Sequence, residues 1–290
     1  TYKPMAIKEM QKKFSTDHYP NLRYFIGDIR DKNRLERAFS GIDIIVHAAA
    51  LKQVGAGEYN PTEFINTNII GAQNIIEASI SSKVKQIIAL STDKAAAPIN
   101  LYGATKLCSD KLFISSNLYS GKKIKCSVVR YGNVFKSRGS VIPIFEKQKD
   151  KGFFTVTHKD MTRFNITLED AAKKVFWCIH KSIGGEIYVP KLTSYRILDV
   201  AKAINPKNKI KFIGIRAGEK IHEELITQND SFNTIEFNHG FIILPSFDFY
   251  SLNKYLKHYK AKKVKENFQY ASNTSKKYIS ILDLKRSIKK

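Results

Sequence analysis

At 290 residues, 43% hydrophobic and 26% charged, the chain is long enough to bury a full core as one large domain or two smaller ones. No stretch approaches the roughly 18 apolar residues of a membrane span, and Thr1-Tyr2-Lys3-Pro4 opens no signal-peptide core, so a cytoplasmic protein without a membrane span is expected. The net charge of +23 would suit anionic partners, but residues 251–290 alone hold 12 Lys or Arg against Glu266 and Asp283, the remainder is dispersed, and no RNA-recognition signature accompanies it.

In chain order, short apolar runs at 23–26, 42–47, 84–90, 124–131 and 186–189 predict strands. Between the second and third, Phe64, Ile65, Ile69, Ala72, Ile75, Ile76 and Ile80 fall on one face at helical spacing, and 101–119 and 168–180 repeat that pattern. The alternation predicts an α/β fold, a Rossmann-type doubly wound parallel sheet with a crossover helix after each strand. After Tyr131 the rhythm breaks into Gly-Asn-Val-Phe-Lys-Ser-Arg-Gly, and later segments read as a smaller α+β part. The expected division is 1–134 plus 166–190 for the sheet and 135–165 plus 191–290 for the smaller part. Ligands of such sheets bind at the carboxyl ends of strands, here His47 to Ala50, Ser91 to Lys94 and Tyr131 to Asn133.

Chemistry-bearing residues concentrate at the second of these ends. Tyr102 and Lys106 stand four residues apart, so one helix face aims a phenol and an ammonium at one point, and a nearby ammonium is expected to lower the phenol's pKa. The same spacing recurs at Tyr119/Lys123, Tyr250/Lys254 and Tyr259/Lys263. Only Tyr102 follows a buried apolar run that ends in Ser91, Thr92, Asp93 and Lys94, where acid and base groups stand together. His47 is read as closing its strand rather than reacting. Cys108, Cys126 and Cys178 lie far apart and are read as reduced packing residues, and the seven histidines form no ligand pair, so no metal is expected.

A series of motifs then runs along the chain: Gly27-Asp28-Ile29-Arg30-Asp31, Val46 to Ala50 with Lys52-Gln53-Val54, Glu58-Tyr59-Asn60-Pro61 and Ser91 to Lys94. It continues with Tyr102 to Lys106, Arg130 to Val134, Ser137 to Val141, Met161 to Phe164, and Gly218-Glu219-Lys220 with His222-Glu223. In this order the series resembles the extended short-chain dehydrogenase/reductase superfamily and, within it, the inverting UDP-N-acetylglucosamine 4,6-dehydratases of pseudaminic acid biosynthesis.

The resemblance implies a tightly held NADP cofactor, a UDP-N-acetylhexosamine substrate and a homo-oligomer such as a hexamer, with no nucleic-acid partner. It implies that Tyr102, aided by Lys106 and Thr92, takes the proton of the sugar 4-hydroxyl as hydride leaves carbon 4. Lys94 then removes the carbon-5 proton and Asp93 protonates the departing 6-hydroxyl; hydride returns to carbon 6 and carbon 5 is reprotonated from the opposite face. Asp28 and Ile29 are implied near the adenine, Ala48, Ala49 and Ala50 along the pyrophosphate and ribose, and Tyr102 and Lys106 at the nicotinamide end. Lys52 and Asn133 are implied at the sugar, and Arg163, Arg216 and Glu219 at the UDP portion.

Departures from the pattern touch the same regions. The glycine-rich turn that carries a pyrophosphate is absent, and residues 1–22 read as the segment before a third strand, so one further βαβ unit is expected upstream. Gly55-Ala56-Gly57 does not substitute for it, because the run is expected to lie one loop beyond a strand rather than to open a helix. Ala97 stands where Asn is expected, Phe135-Lys136 alters the loop after Asn133, and Ala217 replaces a proline. The alternatives are a retaining dehydratase or 4-epimerase, an inactive fragment, or RNA binding through the basic C-terminal region.

Overall fold

The computed structural model describes residues 4–247 and 249–289. The first half runs α1 (Pro4–Lys13), α2 (Lys32–Phe39), β1 (Ile44–His47), α3 (Val54–Tyr59), α4 (Pro61–Phe64), a π-helical stretch (Ile65–Ile70), α5 (Gly71–Ser81), β2 (Gln86–Thr92), α6 (Leu101–Tyr119) and β3 (Lys125–Tyr131). Next come β4 (Asn133–Val134), α7 (Val141–Gln148), β5 (Phe153–Val156), β6 (Thr162–Ile166), α8 (Leu168–Lys181) and β7 (Ile187–Pro190). The last part holds β8 (Thr193–Arg196), α9 (Ile197–Ile204), β9 (Lys209–Phe212), β10 (Glu224–Ile226), β11 (Thr234–Phe237), β12 (Gly240–Ile243), α10 (Leu252–Tyr259), β13 (Lys262–Lys263), β14 (Tyr270–Ala271) and α11 (Ile281–Lys289).

Seven strands form one sheet in the order β1-β2-β3-β7-β12-β11-β13. The pairs β1–β2, β2–β3 and β3–β7 are parallel, and β12, β11 and β13 add antiparallel neighbours. Parallel strands need long crossovers, and α3 to α5, α6 and α8 supply them. The central strands read as unbroken apolar runs because both faces are covered. On one face Ile87, Ala89 and Val128 pack with Ile75, Ile76 and Phe113 of α5 and α6. On the other, Ile88, Val129 and Tyr188 pack with Cys178 of α8 and with Tyr255 and Tyr259 of α10. A three-stranded sheet (β4-β6-β8) and the pair β5–β9 stand beside α7, α9 and α11, with a core of their own around Phe145, Phe154, Tyr195, Val200 and Leu284. The chain leaves the large sheet after β7 and rejoins it at β11 to β13.

Three expectations change. Residues 23–26 form no strand: β1 pairs only with β2 among the described residues, so these residues have no ladder to join, and Phe25 and Ile26 are exposed. Gly55 and Gly57 do lie in a helix, α3, where a methyl group on Gly57 would touch the Phe64 ring at 3.1 Å; the glycine there serves close packing. Cys126 and Cys178 are buried as expected, whereas Cys108 is exposed on α6. No helix among the described residues is long and apolar enough to cross a membrane.

Candidate active site

The end of β2 is built to present polar side chains. Gln86 to Ala89 are buried, the register places Thr92 opposite Tyr131 of β3, and the backbone then folds into a single 3₁₀ turn, Asp93–Ala95, capped by Thr92. The Thr92 hydroxyl accepts from the Lys94 backbone N–H (3.3 Å) and donates to Asp93 Oδ1 (3.0 Å). Lys94 Nζ donates to Asp93 Oδ1 at 3.1 Å and, across 129 positions of sequence, to Glu223 Oε1 at 3.0 Å. Arg163 of β6 closes the group, its Nε 3.5 Å from Glu223 Oε1. Asp93 and Glu223 are 1% and 3% exposed, and one oxygen of each, Oδ2 and Oε2, has no hydrogen-bond partner among the described residues. Buried oxygens without partners are uncommon, so this corner holds acceptor capacity that protein atoms leave unused.

Environment separates the protonation preferences of these groups. Burial pushes the Asp93 carboxyl up, against the opposing pull of Lys94 and with further help from Glu223. Burial pulls Lys94 down, but Asp93 and then Glu223 outweigh it and hold the ammonium charged. Burial also pushes Glu223 up, and there Lys94 and Arg163 prevail, so its carboxylate is held below the usual range. Burial thus moves Asp93 toward its neutral form, while the paired charges hold Lys94 as an ammonium and Glu223 as a carboxylate.

Asn100 caps α6 by accepting from Gly103 N–H at 2.8 Å, which sets Tyr102 on the first turn and Lys106 one turn further, beside the β2 end. Gly103 has no room for a side chain: an added Cβ would lie 2.2 Å from the Lys94 carbonyl oxygen. Burial raises the Tyr102 phenol to about 12, and the ammonium that opposes it is Lys94, not Lys106. The expected lowering of this phenol is therefore not found in the protein alone, because desolvation of the phenolate exceeds the attraction of the nearby cation. Lys106 is 4% exposed, is pulled down by burial with Asp110 opposing, and makes no ion pair among the described residues. His47 ends β1 against the Phe113 ring, with centroids 5.4 Å apart, and burial followed by the charge of Lys106 pulls it down to about 3. A neutral, buried imidazole fits the strand-closing reading.

A cavity of about 720 Å³ runs between the large sheet and the smaller one. It brings together Thr92, Asp93, Lys94, Tyr102, Lys106, Ala48, Ala50, Lys52, Asn133, Arg163, Arg216 and Glu219. Asp28, Ile29 and Ala49 are not among its lining residues. Asp28 instead chelates Arg30 through hydrogen bonds of 3.0 and 2.8 Å, which lowers its carboxyl to about 2, and Ile29 packs under Gly71. Arg163 is half-buried, donating to the carbonyls of Thr162 and Ile221, while Arg216 is exposed 3.8 Å from Glu219. Gly132 roofs the corner with no room for a side chain: an added Cβ would lie 2.5 Å from Phe164 Cβ and 3.2 Å from Asp93 Oδ2. No group of three or more His, Cys, Asp or Glu able to hold a metal occurs among the described residues.

Residues 2–245 match the family described as polysaccharide biosynthesis protein. The chain belongs to this family. It is 46% identical over 299 aligned residues to the UDP-N-acetylglucosamine 4,6-dehydratase (inverting) of Campylobacter jejuni, covering 98% of this chain and 89% of that one. It is 42% identical to the UDP-glucose 4-epimerase of Rickettsia canadensis over 73% of this chain and 64% of that protein. The fold is similar to Pen from Bacillus thuringiensis, with a TM-score of 0.87 and 36% identity over 99% of this chain and 86% of that one. The resemblance carried by the motif series and the α/β Rossmann-type architecture are thus both established.

Within this polysaccharide biosynthesis family member, the sequence reading left Glu223 without a role. Its signal was the motif that ends in His222-Glu223, but nothing in a linear spacing reveals that this carboxylate meets Lys94. Asp110 was missed too: it accepts from Ser91 Oγ at 2.7 Å, pairs with Arg130 at 3.3 Å and stands one turn beyond Lys106.

Proposed function

We propose that the protein is an NADP-dependent UDP-N-acetylglucosamine 4,6-dehydratase, a lyase that inverts carbon 5 and yields a UDP-4-keto-6-deoxy-L-hexose. The observation that carries this reading is the Asp93–Lys94–Glu223 group lying with Tyr102 in one cavity. Oxidation at carbon 4 calls for one base, and a 4-epimerase needs no more. Elimination across carbons 5 and 6 needs a base and an acid in addition, and Lys94 and Asp93 are the groups at hand. A relative named as an inverting dehydratase, 46% identical over 98% of the chain, supports the same reaction.

The residues fit the nicotinamide end of the cofactor. Lys106 is buried and makes no ion pair among the described residues, and Ala48 and Ala50 line the cavity without bulk. Lys106 and Tyr102 would hold the nicotinamide ribose, with Ala49 further along the same strand end and Asp28 and Ile29 toward the adenine. When bound, the cofactor supplies the hydride acceptor and donor. Tyr102 takes the 4-hydroxyl proton as a phenolate, the form that Lys94 and Thr92 favour against burial and that Lys106 would favour further, and it becomes the phenol as the proton arrives. Asp93, pushed toward its neutral form by burial, is suited to protonate the leaving 6-hydroxyl. Lys52 and Asn133 orient the sugar, and Arg163, Arg216 and Glu219 address the UDP portion. A role in pseudaminic acid or surface-glycan formation, a homo-oligomeric state and a cytoplasmic location belong to the same reading.

Turnover of UDP-N-acetylglucosamine in D₂O followed by NMR of the product tests it. The expected product is a 6-deoxy-4-ketone deuterated at carbon 5 with the L configuration. Absence of any 6-deoxy sugar eliminates dehydration, carbon-5 retention eliminates inversion, and a 4-epimer in its place would establish the epimerase.

A further inference from the structure

A lysine held between two carboxylates is a poor base. Lys94 Nζ lies 3.1 Å from Asp93 Oδ1 and 3.0 Å from Glu223 Oε1, so the resting side chain is an ammonium. Taking a proton from carbon 5 requires the free amine. Some group must first relieve Lys94 of one proton, and the groups bonded to it are buried carboxyls: Asp93 is 1% and Glu223 3% exposed, while Lys94 is 21% exposed toward the cavity that a bound substrate would fill.

The two carboxyls are not equivalent as acceptors. Among the described residues Asp93 pairs with no cation other than Lys94, and burial favours its neutral form, which suits it to act as an acid. Glu223 has Arg163 Nε 3.5 Å away, which favours its ionised form, and its second oxygen, Oε2, is buried without a partner among the described residues. Its backbone is also fixed, since Glu223 N–H donates to Ser272 Oγ at 2.9 Å and Ser272 Oγ meets Thr162 Oγ1 of β6 at 2.7 Å. Glu223 is thus a stationary carboxylate aimed at Lys94 from the other wall of the cavity.

Resting on the dehydratase reading, we infer that Glu223 is a positioning residue that acts through Lys94, accepting the surplus proton of the ammonium so that the amine can abstract the carbon-5 proton. The step balances. An N–H bond of Lys94 breaks as an O–H bond forms on Glu223 Oε1. The amine lone pair takes the carbon-5 proton, and the C–H electrons form the carbon-5–carbon-6 double bond. The C–O bond at carbon 6 breaks toward oxygen, which leaves as water with the Asp93 proton. Asp93 enters the step in the protonated form that its burial favours, beside the Lys94 ammonium and the Glu223 carboxylate; after it Lys94 is again an ammonium, Glu223 is neutral and Asp93 is ionised. The summed charge of Lys94, Glu223 and Asp93 is the same at both ends, so the step leaves the net charge of the buried corner unchanged.

The test uses the full chain and a probe that needs no hydride transfer: the UDP-linked 4-keto-6-deoxy-N-acetylhexosamine with the D configuration at carbon 5. Loss of its carbon-5 proton in D₂O is followed by NMR from about pH 6 to about pH 9. With an internal acceptor, the wild-type rate is expected to be nearly flat. In Glu223→Gln, Lys94 must lose its proton to solvent, so the rate falls at neutral pH and climbs about tenfold per pH unit. Glu223→Asp keeps an acceptor and is expected to be slower but flat, and it serves alone should the Gln variant not fold. A Glu223→Gln profile parallel to wild type, a sloped Glu223→Asp profile, or no wild-type exchange overturns the relay. Dehydration of UDP-N-acetylglucosamine is scored separately. Exchange without dehydration leaves the relay standing and removes the dehydratase reading.

Discussion

The large sheet buries a carboxyl at each end of its parallel strands, and the two are treated differently. Asp93, just past the carboxyl end of β2, shares the Lys94 ammonium with Glu223 and faces the cavity. Glu186, just before the amino end of β7, is equally buried, but its Oε1 accepts only from neutral donors: Ile183 N–H (2.8 Å), Tyr259 OH (3.0 Å) and Ser127 OH (3.1 Å). It makes no ion pair among the described residues and lines no part of the cavity. Burial perturbs both carboxyls upward, so perturbation alone does not mark a site. The marks are a counter-charge, a void and the carboxyl end of the strands together.

The largest effect expected from this contrast is on catalysis. Asp93→Asn keeps size and removes the acid, and kcat is expected to fall about a thousandfold, whereas Glu186→Gln changes kcat by less than about twofold. Steady-state rates on UDP-N-acetylglucosamine check both. A comparable loss in Glu186→Gln would erase the distinction between the two ends.

The next effect is on stability, at a position where the site end tolerates no added atom. Gly103→Ala would place Cβ 2.2 Å from the Lys94 carbonyl oxygen, a backbone atom that cannot swing aside. A loss of about 3 kcal/mol is expected by urea unfolding, with activity reduced as well because the Lys94 backbone must shift. Equal stability to wild type would show that the α6 start and the β2 end are less tightly coupled than the packing indicates.

How far this contrast was visible beforehand depends on sequence distance. Four of the five strands expected for the large sheet, the Tyr102–Lys106 helix and the Thr92–Asp93–Lys94 corner were legible, because each is a local run or a short spacing. The segment at 23–26 was not, since a β run becomes a strand only when a neighbour pairs with it. Glu223 was not, since it meets Lys94 across 129 positions and only the packing of the smaller sheet against the larger brings them together. Nor was the direction of the Tyr102 shift, because spacing reports which charge is near while burial decides which effect prevails.

A smaller effect concerns pH. Burial lifts Glu186 above its ordinary 4.5. Below that value both folded and unfolded chains hold the proton; as pH rises through 4.5 the unfolded chain ionises first, so the wild type loses stability until pH passes the folded value. Glu223, held below its ordinary 4.5 by Lys94 and Arg163 despite burial, has the opposite sign: its contribution is present above 4.5 and lost as pH falls through the folded value. Glu186→Gln retains an oxygen acceptor for the three donors and is expected to be within about 1 kcal/mol of wild type at acid pH and relatively more stable near neutrality. Urea unfolding at about pH 4 and about pH 7 reads the difference. A pH-independent difference would mean that Glu186 titrates in the fold as it does in the unfolded chain.

The smallest effect tests backbone strain at the two ends. Near Glu186 the positive φ angles fall on glycines, Gly184 at 101° and Gly185 at 82°, where the conformation carries no Cβ penalty. At the site end the turn after Asp93–Ala95 puts Ala97 at φ 45°, a left-handed conformation that Asn adopts more readily than Ala. This gives a physical reason for the Asn expected there, whose place Ala97 takes in this chain. Ala97 is exposed, so Ala97→Asn alters no core packing and is expected to gain about 0.5–1 kcal/mol by thermal or urea unfolding. The turn also carries Lys94, so easing its strain is expected to raise kcat slightly and leave KM unchanged. A stabilised variant with lower kcat would instead show that strain in this turn helps hold Lys94 between its two carboxylates.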